Sequence, residues 1–93
     1  MDPKACIQRI IEAVKSEDWD EANEGLTDLF DWLNLGGFAP SLPPATYITI
    51  ALGGPISYNL LSSPDGSASF YRYVFNPKTG RSEETHRFYL PKA

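Results

Sequence analysis

The sequence predicts an α+β fold in two layers: an N-terminal antiparallel helical hairpin packed on one face of a four-stranded antiparallel meander sheet. Three observations predict it. Apolar residues recur with a helical period through the first third of the chain, and strand formers broken by Gly/Pro turns fill the second half. Between them lies a stretch with three prolines, 36–44, which forbids regular structure. The chain has 93 residues, which suits one domain (1–93) with one modest core.

The first helix is expected over 3–15. Asp2 supplies a capping acceptor, and Pro3 sits at the first helical position, where its missing donor costs nothing. Ile7, Ile10, Ile11 and Val14 then form one apolar stripe. A second helix starts at Ser16 or Asp18, and Asp18 with Glu21 has the spacing of a capping box. Ala22, Leu26, Leu29, Phe30 and Leu33 make its buried face, with Trp19 at the margin. Asn34-Leu35-Gly36-Gly37 ends it, glycine supplying the left-handed residue that closes the last turn. Residues 1–35 thus form two helices with a short joint, which pack antiparallel.

Residues 36–44 read as a stiff connector pinned by Phe38 and Leu42. The sheet occupies 45–93, with strands expected over 47–52, 56–61, 70–75 and 83–90. The turns between them, 53–55, 63–66 and 76–80, each pair proline with glycine. A four-residue loop over 77–80 sets Asn76 opposite Arg81, Tyr73 opposite Glu84, Arg72 opposite Thr85 and Tyr71 opposite His86. Tyr71, Tyr73, Phe75, His86, Phe88 and Leu90 then share the more apolar face, assigned to the core beneath the helices. Phe70, Arg72, Val74, Glu83, Arg87 and Tyr89 share the other. A three-residue loop instead gathers Tyr71, Tyr73, Arg87 and Tyr89, so Arg87 and Tyr89 share a face with aromatics in either register.

Composition narrows the function. No run approaches the ~20 apolar residues of a membrane span, and the acidic start 1–4 lacks a secretory apolar stretch, so a cytoplasmic location is expected. One cysteine, Cys6, leaves no internal disulfide and no multi-cysteine metal site; it reads as a small core residue. The net charge of −4 is unevenly spread: residues 1–43 carry nine acids against three bases, residues 44–93 three acids against five bases. Such a field disfavours nucleic acid and favours a basic protein partner.

Two surfaces stand out. Asp20, Glu24, Asp28 and Asp31 are spaced to lie within about 80° of arc on the second helix, opposite its apolar stripe, and that helix has no lysine or arginine. The strip reads as a solvated face or as a docking strip for a basic partner. On the sheet, Phe70, Arg72, Arg87 and Tyr89 combine arginine with aromatics, an interface composition suited to a partner or a homodimer. The same composition serves single-stranded nucleic acid, which the overall charge opposes. Trp32, at the edge of the apolar stripe, needs a neighbour, whether a partner or the 38–40 connector.

Catalytic groups are few. His86, with Tyr71 across the hairpin and Glu84 beside it, is the one ligand-pocket alternative, against the plainer reading of a packed histidine. No metal-ligand spacing, phosphate-binding loop or cofactor motif is found. The sequence therefore points to a small acidic non-catalytic protein-interaction module, an inhibitor or adaptor. A small-ligand binder or small enzyme near His86 and a single-strand binder are the alternatives.

Overall fold

Asp2 accepts hydrogen bonds from the backbone N–H groups of Lys4 and Ala5, and Pro3 opens the first helix, α1 (Pro3–Lys15). The computed structural model describes residues 1–51 and 54–91. At the far end of α1, Glu17 N–H bonds to Val14 O and Asp18 N–H to Ala13 O, the paired bonds of a Schellman motif. The residue in the left-handed position is Glu17, at φ 55°. Asp18 then caps α2 (Trp19–Asn34), its carboxylate accepting from the Glu21 N–H. The same motif closes α2 through Gly36, at φ 87°.

The helices form the expected hairpin and approach closely at Gly25, where an added Cβ would lie 2.7 Å from Ile10 Cγ1. Cys6 is buried there, and its thiol donates to the Gly25 carbonyl at 3.3 Å. The connector is pinned by one of its two expected anchors. Leu42 is fully buried, whereas Phe38 is 69% exposed and meets the Trp32 ring edge-on.

The strands are β1 (Tyr47–Ile50), β2 (Ile56–Ser62), β3 (Ala68–Asn76) and β4 (Arg81–Leu90), paired antiparallel in the order β1-β2-β3-β4. The sheet is the predicted meander, with β3 and β4 each starting two residues earlier than expected. Leu52 and Gly53, assigned from sequence to the first strand's end and its turn, lie outside the described residues.

The register corrects the sequence reading. Near the turn the expected pairs hold, Asn76 with Arg81 and Tyr73 with Glu84. A β-bulge then leaves Thr85 without an opposite residue, so Arg72 pairs with His86, Tyr71 with Arg87 and Phe70 with Phe88. Thr85 fills the bulge: its hydroxyl donates to the Arg72 carbonyl at 3.3 Å. The shift turns β3 over relative to the expectation. Phe70, placed by sequence on the exposed face, is fully buried under the helices, and Arg72 and Val74 share its side. Tyr71, Tyr73 and Phe75, assigned to the core, lie on the open face instead. For β4, His86, Phe88 and Leu90 do face the helices, and Arg87 and Tyr89 do not. One cluster joins the layers: Ile7, Ile10, Leu26, Leu29 and Phe30 from the helices, Leu42 from the connector, and Ile48, Ile50, Tyr58, Leu60 and Phe70 from the sheet.

Candidate functional site

Alternation along the strands sends Tyr47, Tyr71, Tyr73 and Tyr89 to the face away from the helices. Tyr47 is 77% and Tyr89 71% exposed. Arg87 organises this face. Its guanidinium donates to Glu84 at 2.8 Å and to the Tyr89 hydroxyl at 3.3 Å, and lies 5.0 Å from the Tyr71 ring centre. These bonds, to Tyr89 first and then Glu84, push its pKa further above the ordinary arginine value. Beside it an open groove of about 770 Å³ is lined by Tyr47, Leu61, Pro64, Tyr71 and Tyr89, among others.

Of the four residues predicted for this face, Arg87 and Tyr89 are on it and Phe70 and Arg72 are not. Arg72 lies between the layers, its guanidinium 4.6 Å from the Phe30 ring centre, with a buried Nε that has no hydrogen-bond partner. The three residues of the ligand-pocket alternative are not brought together by this register. His86 is on the helix side, edge-on to Phe30 at 4.8 Å and stacked with Phe88, while Tyr71 and Glu84 lie on the open face with Arg87. The sheet itself separates His86 from the other two side chains.

On the helical hairpin the strip is not turned wholly away from its neighbour, as the sequence suggested. Arg9 of α1 reaches across to α2, pairing with Glu21, with Glu24 at 3.1 Å and with Asp28 at 2.8 Å. Hydrogen bonds to Glu21 and then Asp28 raise the Arg9 pKa beyond its ordinary value. Among the described residues no cation pairs with Asp20 or Asp31. Arg9 was not singled out from sequence, and Glu21 only as the capping-box partner of Asp18; the i, i+3, i+7 spacing of Glu21, Glu24 and Asp28 facing a lone arginine was the available signal.

Next to this network runs a groove of about 560 Å³ between the start of α1 and the end of α2. Its apolar wall is Met1, Ala5, Cys6, Trp32 and Leu35, and its polar wall Asp2, Arg9, Asp28 and Asp31. Met1 is 58% and Leu35 87% exposed. Trp32 has the connector as its neighbour: its indole N–H donates to the Phe38 carbonyl at 2.8 Å, and the two rings meet edge-on at 5.6 Å. The groove was also missed from sequence, because it joins residues some thirty positions apart.

Among the described residues no three His, Cys, Asp or Glu side chains are grouped to hold a metal, and no helix is long and apolar enough to cross a membrane. No family model, curated protein or solved structure matches the chain.

Proposed function

We propose that this chain is a non-catalytic protein-interaction module, an inhibitor or adaptor, that binds a basic partner protein at the outer face of its helical hairpin. One observation carries the reading. Among the described residues the cation that pairs with the acids of α2 is Arg9, already shared among Glu21, Glu24 and Asp28, so the face keeps an excess of carboxylates. That excess favours and steers a basic protein surface. The test is capture from host lysate on the immobilised chain and on the variant Asp20→Asn/Glu24→Gln/Asp28→Asn/Asp31→Asn. Basic proteins should be held by the native chain alone and released by salt. The same proteins retained equally on both would refute the reading.

A second reading rests on the open sheet face, where Arg87 is held between Glu84, Tyr71 and Tyr89 with large exposed tyrosines around it. Arginine and tyrosine fixed in advance are the composition of an interface core, and a second copy of the chain is the occupant we favour. Sedimentation should give a dimer for the native chain and a monomer for Arg87→Glu/Tyr89→Ala. A native chain that is monomeric at high concentration would end this reading.

A further inference from the structure

We infer that the groove between the start of α1 and the end of α2 is the seat of an amphipathic, basic helix of the partner, with an apolar stripe lying on Trp32 and Leu35 and lysines or arginines flanking it. The inference rests on the basic-partner reading above and names the shape of that partner.

Three features of the groove carry it. The first is form. Each side is built on one helix, with positions 5 and 9 of α1, preceded by Met1, on one side and positions 28 and 32 of α2, followed by its C-cap Leu35, on the other. Two antiparallel helices with an open valley between them receive a third helix as in a bundle, its side chains entering the valley at i, i+3, i+4 and i+7.

The second is the apolar wall. Leu35 is 87% exposed at a helix end, and Trp32 is held still beside it by the Phe38 carbonyl and by Gly37. A Cβ on residue 37 would come within 2.3 Å of the indole, so the glycine is what lets the ring lie where it does. A ring fixed in advance is an anchor that loses little freedom on binding.

The third is charge. Asp2, Asp28 and Asp31 stand on the polar wall, and the one cationic side chain among the described lining residues, Arg9, is committed to three carboxylates. The last turn of α2 carries no basic residue, so the negative pole of its dipole beside Leu35 is also unanswered by a side chain there. A helix rich in lysine or arginine complements both, whereas an acidic or purely apolar one does not.

The test uses the full chain and three labelled peptides of about 18 residues, some five helical turns. One has leucines at i, i+3, i+4, i+7 among lysines; the second is its isomer with the leucine period scrambled; the third replaces lysine by glutamate. The amphipathic lysine peptide should bind at least about tenfold more tightly than its isomer, and the glutamate peptide should not bind. Leu35→Asp separates groove from charge, because it adds a negative group while removing the apolar one. Affinity for the amphipathic peptide should fall at least about tenfold in this variant, with the far-UV spectrum unchanged and with Ser82→Ala, at the exposed start of β4, binding like the native chain. Equal binding of the two lysine peptides, or a gain in affinity for Leu35→Asp, would overturn the groove while leaving the basic-partner reading in place. Absence of binding by both lysine peptides at low salt would overturn both.

Discussion

Two buried or half-buried residues illustrate how single side chains set this surface. Gly37 owes its identity to contact, since a methyl group there would occupy the space of the Trp32 ring. Gly37→Ala should therefore displace the indole and break its bond to the Phe38 carbonyl. Fluorescence would register this as a red-shifted, more quenchable Trp32, read in a Trp19→Phe background to remove the second indole. Cys6 makes a different point. Burial, assisted by Asp28 and opposed by Arg9, pushes its thiol pKa up. The folded chain thus keeps a proton that the unfolded chain loses first, near the ordinary thiol value of about 8.5. Stability from the protonated thiol is fully present below that value and falls as pH rises through the higher folded value. Denaturation of the native chain and of Cys6→Ala should differ most near neutral pH and converge in alkali; a gap independent of pH would contradict this. The core role of Cys6 was legible from its place on the flank of an apolar stripe. The role of Gly37 was not, because a helix-ending glycine pair already has a local reason to exist.

Both helices end in the same hydrogen-bonded motif with different residues at its left-handed position. Gly36 adopts φ 87° without a Cβ to oppose it, whereas Glu17 is held at φ 55°. A left-handed L-residue costs roughly 1–2 kcal/mol, and glycine loses about 0.5–1 kcal/mol of that advantage to its freer unfolded chain. Glu17→Gly should accordingly raise stability by about 0.5–1 kcal/mol, seen as a higher urea midpoint at unchanged slope. Gly36→Ala should lower it. Helix boundaries were readable because caps, proline and glycine act locally. The β4 register was not, since nothing in Ser82-Glu83-Glu84-Thr85-His86 marks a bulge. What selects it is packing across the sheet. The tight turn fixes Asn76 opposite Arg81, and only an extra residue on β4 then lets Phe70 meet Phe88 beneath the helices. Local turn chemistry and the core thus demand registers one residue apart, and Thr85 absorbs the difference. The same residue brings Arg87 onto Tyr71 and so builds the open face.

Across the whole molecule, charge is divided by layer. The helical hairpin carries the acidic excess, and the described bases of the second half, Arg72, Lys78, Arg81 and Arg87, lie on the sheet and its turns. Composition alone showed this division, but it did not show that one side chain holds the acidic layer together. Arg9 stands where α1 faces the carboxylates of α2, and it is part-buried against three of them. Removing its charge leaves Glu21, Glu24 and Asp28 at helical spacings with no cation beside them, and like charges so placed repel. Arg9→Gln should therefore lower the urea midpoint, while Arg81→Gln, at the exposed start of β4, should not. Salt gives the sign that separates repulsion from lost packing. The screening length shortens from about 10 Å at about 0.1 M to about 3 Å at about 1 M. Sodium chloride over that range should raise the midpoint of Arg9→Gln more than that of the native chain, where screening weakens attraction along with repulsion. An equal response in both would mean that Arg9 supports the hairpin through its aliphatic stem rather than its charge. The same screening bears on binding. Glu24 and Asp28, which Arg9 restrains, are among the carboxylates proposed to meet a basic partner, so Arg9→Gln should bind the amphipathic lysine peptide more tightly at low salt even as it folds less stably.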